Sequence, residues 1–194
     1  MRRVVINGKQ YAVGLDCFPL REQSKPEVIQ EAEANYPDSN LVVMLKEQYG
    51  LGESGKSGVA SWKRTSALAA ALLPYTDAVH VFTLIDADTN KPFWWVFGVR
   101  KGLISAQSAD FSDEMSANEY AAAMFDSLGV PESDAFDVQT SLALLSERLA
   151  AQKKRVLGCL STCPSSGNDT GQAYSCRSLG DILWFWMVGY FHSS

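Results

Sequence analysis

AVHVFTLIDADTNKPFWWVFGVRKGLIS, residues 78–105, decides how the chain folds. Val79, Val81, Thr83 and Ile85 alternate with His80, Phe82 and Leu84. Turn formers follow in DADTNKP, and FWWVFGVR then resumes a β-branched and aromatic run. This is the pattern of a β-hairpin, which Leu103–Ile104 extends. Phe93, Trp95 and Phe97 hold one parity of the second run and Trp94 the other, so neither face of the sheet suits solvent. The helices that precede and follow the hairpin in sequence are its expected covers.

Upstream, Arg3–Ile6 and Gln10–Leu15 are short apolar runs joined by Asn7-Gly8, a dipeptide that takes the positive φ of a tight turn, so the chain opens with a second hairpin. SKPEVIQEAEAN, residues 24–35, reads as a helix with an N-cap Ser, a first-turn Pro and Glu27 at the capping-box position, ending before Pro37. LVVML, residues 41–45, is a buried strand that Gln48–Leu51 either continues or leaves to pair elsewhere. A Gly/Ser loop, residues 52–58, leads to an Ala- and Leu-rich helix over Val59–Leu73, stopped by Pro74.

Downstream, DFSDEMS (residues 110–116) reads as an acidic loop. Ser116 caps a helix over Ala117–Leu128 with Glu119 in its first turn and Gly129 after its end. VPESDAF (residues 130–136) reads as a linker. A last helix, Val138–Arg155, aligns Leu142, Leu145 and Leu149 and ends in Lys153, Lys154 and Arg155, where the helix dipole favours cations. The class expected is α/β (α+β), a mixed sheet of hairpins covered by helices. Residues 1–155 form the domain. Residues 156–194 are an atypical Cys/Ser-rich tail with a short aromatic run containing Trp184 and Trp186, expected outside the core and poorly ordered.

With 194 residues, 46% apolar and 20% charged, the chain is long enough for one well-buried domain. A net charge of -5 argues against non-specific nucleic-acid binding, which needs cations to displace counterions from phosphates. MRRVVINGKQYAVGLD turns polar before an apolar core of useful length forms, so no signal peptide is read and the N-terminus is expected in the cytoplasm. The longest apolar stretch, Ile182–Phe191, is about half of a membrane span, and no complete transmembrane helix is expected.

GLGESGKS, residues 50–57, spells a phosphate-binding P-loop, with Gly50, Gly55, Lys56 and Ser57 around phosphate and Asp86 as the acidic residue for Mg²⁺. Phosphate binding requires that loop to leave a buried strand and enter a helix, so that backbone N–H groups converge. Here Lys46, Glu47 and Gln48 separate LVVML from Gly50, and Asp86 heads a hairpin turn. A solvated loop is expected, with P-loop nucleotide binding as the alternative.

Cys159, Cys163 and Cys176 with His192 lack the paired spacing of a zinc site, and reduced thiols are expected, Cys17 being buried. Asp86, Asp88, Asp110, Asp113 and Glu114 stand in predicted turns where carboxylates are ordinary, and the two histidines, His80 and His192, give a triad no good member. No catalytic residue, cofactor or metal is expected.

VVINGKQYAVGLDCFPL (residues 4–20), QYGLG (48–52), SALAAAL (66–72), FWWVFGVRKGLI (93–104) and DFSDE (110–114) together resemble PilO-type pilin accessory proteins of type IVb pilus systems, over roughly residues 1–155. The resemblance implies a bitopic inner-membrane protein whose cytoplasmic N-terminal domain is a reduced actin-like or ribonuclease-H-like module. That domain is implied to be a scaffold at the cytoplasmic face of the inner membrane, in contact with the pilus assembly ATPase and the polytopic inner-membrane platform protein. YAVGLD (residues 11–16) is similar to the first phosphate motif of actin-like ATPases, but Cys17-Phe18-Pro19 replaces its Gly-containing turn. Lys153–Arg155 stand where a positive-inside flank precedes a span. VLGCLSTCPSSGNDTG follows instead of an apolar helix, so the chain is expected to be truncated or altered over its last 40 residues, for instance by a reading-frame change. Trp94 and Arg100, residue types that anchor interfaces, are the candidates for partner contact.

Overall fold

The computed structural model describes residues 1–45, 47–55, 58, 62, 65–72, 76–150 and 158–159. Along them run β1 (Arg2–Ile6), β2 (Lys9–Val13), β3 (Asp16–Pro19), α1 (Lys25–Asn35), β4 (Leu41–Met44), β5 (Gln48–Gly52), β6 (Ser66–Ala67), α2 (Leu68–Leu72), β7 (Ala78–Ile85), β8 (Pro92–Arg100), β9 (Leu103–Ile104), β10 (Ala109–Phe111), α3 (Glu114–Leu128), β11 (Glu132–Phe136), α4 (Val138–Ala150) and β12 (Gly158–Cys159). The predicted α/β class is the observed one: three sheets, ordered β1-β2-β6, β12-β4-β5-β3 and β10-β8-β7-β11 with β9 beside β8, plus four helices among the described residues. These residues all belong to one unit, Met1–Cys163. None of their helices is long and apolar enough to cross a membrane.

β7 and β8 form the predicted hairpin, antiparallel from Ala78 opposite Val99 to Ile85 opposite Pro92. Strand alternation divides its side chains between two covers. Val79, Val81 and Val96 face Ala117, Ala121 and Met124 of α3. Phe82, Leu84, Phe93, Trp95, Phe97 and Val99 turn the other way, into a cluster built from β1, β2, α2 and α4. α3 lies so close to β8 that a Cβ on Gly98 would stand 2.7 Å from Met124 Sδ and 3.0 Å from Leu128 Cδ1. β11 runs parallel to β7 and is reached through α3. The sheet thus holds three antiparallel strands, β10, β8 and β7, with α3 crossing to a fourth strand, β11, parallel to β7.

Two segments differ from the reading above because their strands are polar edges. DFSDEMS is not a loop: Ala109–Phe111 pairs with Trp94–Val96 as β10, and α3 starts at Glu114 because Asp113, not Ser116, is its cap. The Asp113 carboxylate accepts the Ser116 N–H at 2.8 Å, which holds that carboxyl below its ordinary pKa. Gly129 ends the helix as expected, at φ 60°. VPESDAF is not a linker but contains β11, whose ladder with β7 shifts register between Glu132 and Ala135. Backbone pairing, not apolar alternation, builds this strand.

The opening hairpin is as predicted, with Asn7 at φ 52° and Gly8 at φ 69°. The helix expected over Val59–Leu73 is shorter. Ser66 and Ala67 pair in parallel with Tyr11 and Ala12, so α2 begins only at Leu68, and residues 59–61, 63–64 and 73 lie outside the described residues. β5 neither extends β4 nor leaves it: Gln48–Gly52 folds back antiparallel, with Gly50 opposite Val43. Cys17-Phe18-Pro19, which stands in place of the Gly-containing turn, forms most of β3, paired with Gln48–Gly50. α1 covers this sheet through Val28 and Ala32, against Val42, Tyr49 and Leu51. Its predicted start is observed, the Glu27 carboxylate accepting both the N–H and the hydroxyl of Ser24 at 2.7 Å. α4 is described to Ala150; the remainder of the expected helix to Arg155 lies outside the described residues, as does the tail apart from Gly158–Cys159, which pairs with Val42 and Leu41.

His80 is 6% exposed and stacks beside Phe82 and Phe136, with ring centroids 5.7 and 6.5 Å away. Burial, and secondarily the Arg148 charge, lower its pKa to about 4. The unfolded chain takes up this proton near the ordinary value of 6.5, so between the two values the unfolded state binds more protons than the folded one. Stability therefore falls as pH drops from about 6.5 towards 4. The melting temperature of wild type is expected to drop over that interval by several degrees more than that of His80→Phe, measured by calorimetry across the pH series. For Gly98→Val, displacement of Met124, Leu128 and Ser105 is expected to cost about 1 to 3 kcal/mol, read from denaturant midpoints.

Candidate functional site

The five carboxylates of the sequence reading separate into two groups. Asp113 caps α3 and Glu114 opens it, where the helix dipole favours an acid. Asp86, Asp88 and Asp110 instead converge on two arginines of β1. Arg2 donates from Nε to Asp110 at 2.5 Å and from Nη1 to Asp86 at 3.5 Å, with its guanidinium 4.9 Å from the centre of the Phe93 ring. Arg3 donates from Nε to Asp88 at 3.1 Å and pairs with it a second time through Nη2, while stacking 5.2 Å from Trp62. The Ala87 N–H donates to the Arg3 carbonyl at 2.8 Å, which completes a clasp between β1 and the β7–β8 turn. Sequence reasoning named the carboxylates and missed both arginines, because their partners lie 84 to 108 residues away.

Asp86 has little capacity left for Mg²⁺. It is 6% exposed; one carboxylate oxygen accepts the Asp88 N–H at 2.8 Å, and the other faces Arg2. Gly50 and Gly52 lie within β5, paired with Val43 and Leu41. A Cβ on Gly50 would stand 3.0 Å from Val43 Cγ1, and one on Gly52 would stand 2.6 Å from Leu15 Cδ2. These glycines let strands and side chains approach, a sufficient reason for them without phosphate. The Ser54 N–H, which a phosphate cradle would use, donates to Asn40 Oδ1 at 2.8 Å, and the Ser54 hydroxyl accepts from Asn40 Nδ2 at 2.9 Å. Gly55 takes φ 59°. Lys56 and Ser57 lie outside the described residues, and the next described helix starts at Leu68.

Cys17 is buried as expected, and burial followed by the Asp16 charge pushes its thiol up to about 12, far from a reactive thiolate. Cys159 lies in β12, while Cys163, Cys176 and His192 lie outside the described residues. Among the described residues, no group of three or more His, Cys, Asp or Glu side chains is placed to hold a metal. A cavity between β2 and β8, lined by residues including Val13, Leu15, Trp95 and Ile104, has room for about one water molecule.

Trp94 and Arg100 share a parity and therefore a sheet face, but six residues of strand separate them by roughly 20 Å. Trp94 is half-buried against the α3-side cluster beside Phe111 and Tyr120. Arg100 is exposed at the end of β8, before a turn in which the Lys101 N–H donates to Asp77 at 2.8 Å. Among the described residues, the most exposed large apolar side chain is one that the sequence reading put in a loop, Met115 on α3, at 71%. Starting the helix at its true cap, Asp113, is what places Met115 on the outward face.

No protein-family model matches the sequence, and no curated protein does. Among solved structures, the chain is similar to the cytoplasmic domain of BfpC, with a TM-score of 0.51 and 17% identity over 81% of this chain and 96% of that one. At that identity the likeness is one of fold: this chain is built on the architecture of the BfpC cytoplasmic domain.

Proposed function

We propose that this chain is a non-enzymatic scaffold domain of a type IVb pilus assembly system, of the PilO-type accessory class. In this reading it lies at the cytoplasmic face of the inner membrane and binds the assembly ATPase and the polytopic inner-membrane platform protein. The observation that carries the proposal is the likeness to the cytoplasmic domain of BfpC, a type IVb pilus-associated protein, over nearly all of that domain. The sequence words that resemble pilin accessory proteins fall on structural elements that build this fold: the opening hairpin, β5, α2 and β8. The arrangement of side chains agrees with a binding role. Asp86 is engaged by Arg2, Gly50 and Gly52 serve strand packing, and Ser54 is tied to Asn40, so these described residues of the nucleotide-like spelling each have a structural partner.

Pull-down with the full chain as bait tests the proposal. The assembly ATPase or the platform protein is expected to be captured, and Arg100→Glu or Trp94→Ala to weaken capture about tenfold, provided the thermal transition is retained. Failure of the folded chain to capture either protein would overturn the reading. A titration with fluorescent ATP is expected to show no saturable binding, for wild type and Lys56→Ala alike. Micromolar affinity abolished by Lys56→Ala would replace the scaffold with a nucleotide-binding protein.

A further inference from the structure

α3 packs inward on β7, β8, β10 and β11, through Ala117, Ala121 and Met124. On the opposite side, Met115, Glu119, Ala122 and Asp126 follow at intervals of four, three and four, which keeps them within about 40° of one line along the helix. All four are exposed, Met115 at 71%. Two of the acids near the start of α3 have local reasons to be there, Asp113 as cap and Glu114 in the first turn. Glu119 and Asp126 do not. α3 contains no Lys or Arg, and neither carboxylate has an ion pair among the described residues. Asp126 sits in the last turn, where the carbonyl end of the helix dipole disfavours an anion. The free helix is thus less stable for this charge, and a cation brought from outside would reverse that effect.

We propose that this outward face of α3 is the docking surface for a basic amphipathic helix of a partner protein. Lys or Arg side chains about two turns apart would pair with Glu119 and Asp126, an apolar residue between them would lie on Ala122, and one beyond the first would lie on Met115. The proposal rests on the scaffold reading above and names the surface and the partner chemistry. Charge complementarity selects the occupant. A stripe of carboxylates on a chain of net charge -5 attracts a cationic segment and repels an anionic lipid surface, a nucleic acid or a second copy of itself. Met115 supplies an unbranched, adaptable contact. The stripe is roughly 16 Å long, which matches about three turns of a partner helix and the small interfaces of transient complexes.

The test compares wild type with Glu119→Lys/Asp126→Lys and with Met115→Ser, all as the full chain, their folding checked by thermal transition. One readout is capture of the assembly ATPase and the platform protein. The other is fluorescence anisotropy of a roughly 15-residue lysine- and leucine-patterned helical peptide. Binding is expected to weaken about tenfold on charge reversal and to fall as salt rises. Capture of a pilus protein that neither variant weakens overturns the α3 surface and leaves the scaffold standing. Peptide binding that the variants abolish, without capture of either pilus protein, supports the surface and overturns the pilus assignment. Loss of both readouts in wild type overturns both, and self-association through α3 in place of peptide binding overturns the α3 surface alone.

Discussion

The β7–β8 pair must be buried on both faces, and the rest of the described structure follows from that constraint. One hairpin carries Val79, Val81 and Val96 on one side and Phe82, Leu84, Phe93, Trp95 and Phe97 on the other, all at most 4% exposed. A single helix, α3, covers the smaller side chains and comes in close because Gly98 has no Cβ. The aromatic face needs a thicker layer, provided jointly by the β1–β2 hairpin, α2 and α4. Buried aromatics of this size dominate the energetics of a small domain. The sheet of β4 and β5 then attaches through a polar link: the buried Gln48 side chain donates to the Ile104 carbonyl at 2.7 Å and accepts the Ile104 N–H at 2.9 Å, as a neighbouring strand would. One side-chain amide thereby satisfies the backbone of β9 on behalf of another sheet.

Elements whose cause is local were legible from the sequence. Asn7-Gly8 dictates its turn whatever surrounds it, Ser24 with Glu27 starts α1, and Gly129 ends α3. The alternation and aromatics of residues 78–99 announced a two-faced sheet. Elements whose cause is distant were not legible. β11 is Glu-Ser-Asp-Ala-Phe, a string of turn-like residues that becomes a strand because β7 offers it a free edge. β3 contains a proline and becomes a strand because β5 lies alongside. β6 interrupts an Ala-rich helical pattern because β2 pairs with it first.

The residues of the candidate site show the same division. Spelling made Gly50, Gly55, Lys56, Ser57 and Asp86 look like a nucleotide site, and the geometry assigns Gly50 and Asp86 structural duties that spelling cannot convey. Trp94 was readable as an aromatic off the parity of its neighbours, although its cover, α3, reduces its exposure. Met115 was hidden by a three-residue error in the start of one helix. That start depends on whether an aspartate or a serine takes the cap, a choice made by a side-chain hydrogen bond of 2.8 Å.

The clasp between β1 and the β7–β8 turn also sets an order of events during synthesis. Arg2 and Arg3 leave the ribosome before their partners Asp86, Asp88 and Asp110, which are 84 to 108 residues behind them. At ordinary elongation rates that interval is on the order of ten seconds. Throughout it the opening hairpin has its Asn-Gly turn but neither its counter-charges nor the aromatic face that buries Val4 and Ile6. A two-stranded hairpin alone is marginal in water. The nascent chain therefore carries an apolar, cationic ribbon whose partners are complete only once Asp110 has been made, and it is in this interval that chaperone capture or mispairing of β1 competes with folding.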